Sequence, residues 1–92
     1  MAKTIVVNKY KDDYDIYIGR GSRWGNPYVI GKDGDRDEVI RKYSSWIKQE
    51  IKAGRITKQD LQELSGKRLG CFCKPKKCHG DVLVKAVEWA LK

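Results

Sequence analysis

The sequence predicts a small α/β domain of two or three layers, with a short mixed sheet of about three strands packed by a long central helix, a short helix and a C-terminal helix. Short β-branched runs are followed by longer segments of helical periodicity. The second and third strands are separated by two helices, the kind of connection that parallel strands require. Ninety-two residues are enough for one modest core, so we expect residues 1–92 to form a single domain.

The first half of the chain contains three strand candidates. Thr4–Asn8 is a β-branched run, and Asp15–Gly19 alternates apolar Ile16 and Ile18 with a tyrosine, so one of its faces can be buried. Because only about six residues separate these two strands, we expect them to be neighbours in the sheet. Tyr28–Ile30 predicts a further short strand.

Two helices follow. The segment Asp35–Ala53 has apolar residues at spacings of three, four and seven and stops at Gly54, which predicts an amphipathic helix. Thr57 and Asp60 have the spacing of a capping box and open a second, short helix that stops at Gly66. The apolar positions of the long helix are Val39, Ile40, Tyr43, Trp46, Ile47 and Ile51.

The third strand and the last helix enclose a basic loop. Leu69–Cys73 reads as a strand, the pattern breaks at Pro75, and a helical pattern returns over Val82–Leu91. If the second and third strands are parallel, the loops after both lie at the same edge of the sheet, where α/β proteins bind ligands. The residues expected in the core from the last helix are Val82, Leu83, Ala86, Val87, Ala90 and Leu91.

The loop after the second strand, Gly19–Pro27, is rich in glycine and arginine. One interpretation is structural, with Trp24 filling the core while Asn26 and Pro27 close the turn. The other is functional: glycine amides face a ligand, Arg20 or Arg23 contacts an anion, and Trp24 stacks on a base. The Walker and dinucleotide-binding spacings are absent. The candidate ligand-binding residues here are Gly19, Arg20, Gly21, Ser22, Arg23, Trp24, Gly25 and Asn26.

The segment Leu69–Asp81 contains every cysteine, the only histidine and a cluster of lysines. Cys78, His79 and Asp81 fall at the start of the last helix, where backbone N–H groups and the positive end of the helix dipole favour an anion. The net charge is +8, and residues 66–92 carry seven basic against two acidic residues. This indicates either a phosphate-bearing partner or a solubilising surface. Further candidate ligand-binding residues are Lys76, Lys77 and Gly80.

The cysteines allow three interpretations. Cys71, Cys73, Cys78 and His79 are zinc-type ligands, although their spacing is not that of a standard finger. Alternatively, Cys71 and Cys73 are buried core residues. Cys78, beside lysines at a helix N-terminus, has the features of a reactive thiolate, with His79 or Asp81 as the acid or base. A non-catalytic alternative is that Asp81 caps the helix and Gly80 permits close packing.

The chain contains neither an apolar run of membrane-spanning length nor a signal-peptide pattern at its start. An odd number of cysteines within eight positions is not a disulfide framework. We therefore expect a cytoplasmic protein that does not associate with a membrane.

Three segments resemble a known family: Tyr17–Tyr28 (YIGRGSRWGNPY), Asp37–Trp46 (DEVIRKYSSW) and Leu64–Leu83 (LSGKRLGCFCKPKKCHGDVL). They are similar to the small phage and bacterial proteins of the domain of unknown function 4326 family. Phe72 stands where tryptophan is expected. The resemblance implies a compact α/β domain in a bacterial or phage-infected cell and supplies no activity. Its hallmark positions correspond to Arg20, Trp24, Gly25, Asn26, Cys71, Cys73, Cys78, His79 and Asp81.

The leading functional hypothesis is that the two loops bind a phosphate-bearing nucleotide or a nucleic-acid end. Arg20 and the helix amides near Cys78–Gly80 would hold the anion. The first alternative is an enzyme of nucleotide or nucleic-acid processing that uses Cys78, His79 or Asp81. The second is a zinc-stabilised interaction module, and the third is general binding of nucleic acid through the basic face.

Overall fold

The computed structural model of the protein describes residues 3–72 and 76–92. These residues form a sheet with helices packed against it, as the sequence predicts. The elements in chain order are β1 (Ile5–Asn8), β2 (Ile16–Tyr17), α1 (Arg36–Lys52), α2 (Lys58–Gln62), β3 (Arg68–Cys71) and α3 (His79–Ala90).

The sheet has the order β1-β3-β2, and all of its pairings among the described residues are parallel rather than mixed. The predicted parallel pairing of the second and third strands is confirmed, with Ile16 opposite Leu69. The prediction that β1 and β2 are neighbours is wrong, because β3 lies between them.

Gly70 explains how a short connection can pass from β1 to β2 across the intervening strand. A Cβ atom placed on Gly70 would lie 2.6 Å from Cγ of Tyr14, so the ring of Tyr14 packs directly against the bare backbone of β3. Asp15 then fixes the start of β2, because its backbone N–H donates to the Arg68 carbonyl and its carboxylate accepts from the Arg68 N–H, both at 2.8 Å.

The predicted strand Tyr28–Ile30 is wrong, because this segment closes into a turn. The backbone N–H of Val29 donates to Oδ2 of Asp33, and the carbonyl of Val29 accepts from the backbone N–H of Asp33, both at 2.8 Å. The polar groups that a strand would offer to a neighbour are used within the turn.

Both predicted helices between β2 and β3 form. Asp35 caps α1 in a capping box with Glu38, and the helix buries Val39, Tyr43 and Ile47. Thr57 and Asp60 form the predicted capping box of α2. Gly54 and Gly66, after the two helices, have φ values of +81° and +73°, which glycine adopts without steric cost.

The last helix, α3, begins at His79, earlier than its apolar periodicity indicates, because Cys78 caps it. The prediction that Leu91 is buried is wrong: its side chain is 55% exposed, since the helix ends at Ala90 and Leu91 is its C-cap. Leu83 and Val87 are buried in the main core with Leu69 of β3. Among the described residues, no helix is long and apolar enough to cross a membrane.

Candidate functional site

A cleft of about 300 Å³ lies where the loops after β2 and β3 meet. Arg20 and Asn26 come from the first loop, Lys77 comes from the second, and His79 is the first residue of α3. The structure therefore brings together at one edge of the parallel sheet the two loops that the sequence singled out. The lining residues, called the cleft below, are Gly19, Arg20, Asn26, Tyr28, Val29, Ile30, Arg36, Val39, Ile40, Cys71, Phe72, Lys77, Cys78 and His79.

The charged side chains that line the cleft are all cationic. Arg20, Arg36 and Lys77 line it, and none of the described lining residues is an aspartate or glutamate. Nη1 of Arg36 donates to the Lys77 carbonyl at 3.0 Å, which ties the start of α1 to the loop before α3. Nζ of Lys77 is 3.5 Å from Oδ1 of Asp37 with both side chains more than 70% exposed. Such an exposed pair contributes little free energy, so an anionic ligand can compete with Asp37 for Lys77.

The rest of the lining is largely apolar. Val29, Ile30, Ile40 and Phe72 form part of the wall. An apolar wall with a few placed polar groups is typical of small-molecule sites. The cleft is therefore suited to a ligand with one anionic end and one flat or apolar part.

His79 has a defined protonation state. Its Nε2 atom lies 2.7 Å from the carbonyl oxygen of Ile18, and because a carbonyl only accepts, Nε2 carries the proton. The ring packs edge-on against Tyr43, with centroids 4.9 Å apart. Burial lowers the pKa of His79 below its ordinary value, and the Ile18 carbonyl and Asp81 act in the opposite direction. The side chain is therefore neutral at neutral pH.

Cys78 is both the neighbour of that imidazole and the cap of α3. Its Sγ atom is 3.7 Å from Nδ1 of His79, which has no proton in this tautomer. Sγ also accepts from the Gly80 N–H at 3.3 Å, and the Cys78 N–H donates to Oδ2 of Asp81 at 3.3 Å. The residue is only 1% exposed. Cys78 and Asp81 thus complete a capping box.

This cap uses two of the amides near Cys78–Gly80 that, from the sequence, we expect to face an anion. The Gly80 N–H donates a hydrogen bond to Sγ of Cys78. Gly80 itself packs on the sheet, because an added Cβ would lie 2.8 Å from side-chain atoms of both Val6 and Ile18. Asp81 and Lys76 are not among the residues that line the cleft.

In the Gly19–Pro27 loop, Trp24 has the structural role. It is 7% exposed in the core, and its carbonyl accepts from the Tyr43 hydroxyl at 2.7 Å, so it offers no open surface for stacking in this conformation. Nδ2 of Asn26 donates to the Val39 carbonyl at 3.1 Å, which fastens the end of the loop to α1.

The two arginines of this loop have different surroundings. The guanidinium of Arg23 lies 5.0 Å from the Trp24 ring and donates to Oδ2 of Asp60 at 2.9 Å and to the Arg55 carbonyl at 3.0 Å. Arg23 is not among the cleft residues, whereas Arg20 is exposed and lines the cleft. Of the two arginines, Arg20 is therefore the one that lies beside the cleft.

The small residues of the loop shape its turn. The backbone N–H and hydroxyl of Ser22 both donate to the Gly19 carbonyl, at 3.1 and 2.6 Å. Gly21 has φ of +89°, and an added Cβ on Gly25 would lie 2.6 Å from the Gly19 carbonyl oxygen. Of these four residues, Gly19 alone lines the cleft.

Sequence reasoning missed Arg36. It occupies the first position of α1, where the positive end of the helix dipole disfavours a cation. A basic residue at that position, between Asp35 and Asp37, is the signal that could have identified it. Tyr28, placed in a strand by the sequence, is likewise a lining residue.

The predicted zinc ligands are only partly described. Cys73 lies outside the described residues, while Cys71, Cys78 and His79 all line the cleft. Within residues 3–72 and 76–92, no three His, Cys, Asp or Glu side chains are grouped as a metal site would need. The zinc site therefore stays a prediction.

The fold and the cleft define a small α/β domain with a parallel sheet and a cationic pocket at its carboxyl edge. The chain belongs to the family described as Domain of unknown function (DUF4326), whose sequence model matches residues 5–89. It is 49% identical over 88 residues to the "Uncharacterized 12.4 kDa protein in nrdA-td intergenic region" of Enterobacteria phage T4, an alignment that covers 95% of this chain and 80% of the phage protein. No solved structure matches the chain.

Proposed function

We propose that the cleft binds a phosphate-bearing nucleotide or the end of a nucleic acid. The observation that carries the proposal is the convergence of Arg20, Arg36 and Lys77 on one small cleft whose described lining includes no carboxylate. Cationic side chains with low-dielectric walls concentrate the field at the point where an anionic group would sit.

The side chains have complementary roles in this proposal. The exposed guanidinium of Arg20 is the principal phosphate ligand, because its planar fork matches two phosphate oxygens. Arg36 adds a second guanidinium whose position is set by its bond to the Lys77 carbonyl. Lys77 contributes a point charge at the rim. The volume of about 300 Å³ is at the small end of ligand sites and suits one nucleotide.

The experiment compares two arginines of the same loop. Calorimetric titration of thymidine 5′-monophosphate should give an affinity that Arg20→Ala weakens about tenfold or more, as expected for loss of a charged hydrogen bond. Arg23→Ala is the matched control, because it removes the same charge from the Asp60 side of the loop. We expect it to bind the nucleotide like the unmodified protein.

Equal weakening by both substitutions would show a non-specific charge effect. No binding at all, tested also with the adenosine, guanosine and cytidine monophosphates, would contradict the proposal. Melting temperatures of both variants separate loss of binding from loss of fold.

A second candidate function is an enzyme of nucleotide or nucleic-acid processing in which Cys78 is the nucleophile. The observation in its favour is the 3.7 Å distance from Sγ of Cys78 to the unprotonated Nδ1 of His79. In this arrangement the neutral imidazole can accept the thiol proton as Sγ attacks a substrate. Asp81 contributes as the cap that fixes the Cys78 backbone.

The test is the rate at which iodoacetamide alkylates Cys78 near neutral pH, followed by peptide mass spectrometry in native buffer and in denaturant. A native rate above the denatured rate would indicate an activated thiolate. A native rate far below it would show that the 1% exposure of Cys78 excludes reagents and would count against catalysis.

A further inference from the structure

Beside the cleft lies a group of three aromatic rings around one lysine, the aromatic cluster (Lys9, Tyr10, Tyr17 and Phe72). The Phe72 ring is 5.6 Å from the Tyr10 ring and 5.9 Å from the Tyr17 ring, centroid to centroid. Nζ of Lys9 lies 5.1, 4.8 and 4.8 Å from the centroids of Tyr10, Tyr17 and Phe72. The cluster therefore combines π surfaces with a positive charge.

The cluster and the cleft form one continuous surface. Phe72 belongs to both, since it lines the cleft and contacts both tyrosines. The Tyr17 hydroxyl donates to the carbonyl of Arg20 at 3.1 Å, so the cluster also touches the loop that carries the principal cation. Lys9 and Tyr10 follow β1 directly, as Phe72 follows β3. Loops after all three parallel strands thus contribute to the same edge.

The cluster exposes more aromatic surface than the fold requires. Tyr10 is 74% exposed and Phe72 is 44% exposed, so packing in the core does not account for their positions. The backbone holds Tyr10 in place, because its N–H donates to Oδ1 of Asn8 at 2.9 Å. Exposed rings beside a cationic groove are the means by which proteins bind single strands: bases stack on the rings and the groove follows the phosphates.

We infer that this edge of the sheet binds single-stranded nucleic acid, with one phosphate in the cleft and an adjacent base stacked on Tyr10 and Phe72. The inference rests on the proposed function and extends it from one nucleotide to a strand. Lys9 supplies a contact for the neighbouring phosphate. Because Trp24 is in the core, Tyr10 and Phe72 take the stacking role that the sequence suggests for Trp24.

The test measures the binding of two ligands, an oligonucleotide and a mononucleotide, to the same variants. Fluorescence anisotropy follows labelled oligothymidylate and oligouridylate of about eight nucleotides, within the range that one small single-strand-binding domain covers. Calorimetry follows thymidine 5′-monophosphate. We expect Tyr10→Ala to weaken oligonucleotide binding about 5- to 100-fold, the loss of one base stack, and to leave mononucleotide binding unchanged. Tyr10→Phe, which keeps the π surface, should bind like the unmodified protein.

Trp89→Ala is the matched control, because Trp89 is a similarly exposed aromatic residue (43%) on α3 outside the cleft and the cluster. It should not change oligonucleotide binding. Phe72→Leu is the second test variant and should weaken oligonucleotide binding while preserving apolar contact. Oligodeoxyuridylate separates the effect of the sugar from that of the thymine methyl group. Tighter binding of it than of oligouridylate would identify DNA as the ligand, the reverse order would identify RNA, and either supports the inference.

Oligonucleotide binding that neither Tyr10→Ala nor Phe72→Leu weakens would overturn the inference while leaving the proposed function intact. Mononucleotide binding that Tyr10→Ala abolishes would overturn it too, because the ring would then belong to the single-nucleotide site. Failure of the unmodified protein to bind any mononucleotide or oligonucleotide would refute the proposed function itself.

Discussion

Nε2 of His79 and the backbone carbonyl oxygen of Ile18 are 2.7 Å apart, and this hydrogen bond joins the start of α3 to the end of β2. Ile18 is fully buried and immediately precedes the Gly19–Pro27 loop. The bond therefore sets the position of one loop of the cleft relative to the other. It also fixes the tautomer that leaves Nδ1 facing Cys78.

The first prediction concerns pH. Burial holds the pKa of His79 below its ordinary value, so the unfolded chain takes up a proton at a higher pH than the folded protein does. The free energy of unfolding should therefore be independent of this group well above pH 6.5, the ordinary pKa of histidine, and should fall as the pH decreases through about that value. Urea denaturation between pH 7.5 and 5.5 measures the effect.

His79→Gln is the control, because glutamine keeps an N–H donor for the Ile18 carbonyl and does not titrate. The sequence has one histidine, so the slope in this window should disappear in the variant. If the free energy of unfolding changes with pH equally in both proteins, the change is due to other groups, and the prediction is contradicted.

The second prediction concerns the cap of α3. Because Sγ of Cys78 accepts from the Gly80 N–H, serine can replace the sulfur as cap, whereas alanine cannot. Cys78→Ala should lower the free energy of unfolding by about 1 kcal/mol more than Cys78→Ser. Chemical denaturation at a pH above 7 measures both.

Cys71 provides the comparison, because it is equally buried but lies in β3. At that position no helix start needs a side-chain acceptor, so serine should have no capping advantage over alanine. The same order of stabilities at both cysteines would refute the capping role.

The third prediction concerns Gly80. In most helices alanine is better than glycine by roughly 0.5–1 kcal/mol, yet here an added Cβ would lie 2.8 Å from atoms of Ile18 and Val6. Overpacking of this kind typically costs 1–3 kcal/mol, so Gly80→Ala should destabilise the protein by about 1 kcal/mol. Thermal and urea denaturation measure the change.

Val6→Ala tests the physical reason for this loss. Val6→Ala removes two of the three atoms nearest to the added Cβ. The double variant, Gly80→Ala with Val6→Ala, should therefore be more stable than the sum of the two single effects predicts. Strict additivity would show that the contact between α3 and β1 is not the cause.

The fold could be predicted largely because its signals are local. The capping-box spacing at Thr57 and the glycines after both helices indicate helix ends directly. The order of the strands was not predictable in this way. It depends on Tyr14 packing over Gly70, a contact between residues far apart in sequence.

The position of the site could be predicted from the sequence, but the roles of its individual residues could not. Parallel strands imply that the two loops share an edge, and this placement is confirmed by the cleft. The separate roles of Arg20 and Arg23 depend on a partner in α2, Asp60, which the loop sequence does not reveal. The sequence is equally consistent with Trp24 as a core residue and as a stacking surface. Only its burial in the structure distinguishes the two roles.

The most direct test of the phosphate-binding cleft is a titration of ¹⁵N-labelled protein with thymidine 5′-monophosphate, followed by amide and side-chain chemical shifts. We predict that the largest shift changes occur at Arg20, Arg36, Lys77 and His79, the residues that line the cleft. The face formed by Lys48, Lys85 and Trp89, which carries a separate apolar groove with two lysines, should remain unchanged. Equal changes at the lysines of both faces, or no changes at saturating nucleotide, would contradict the account.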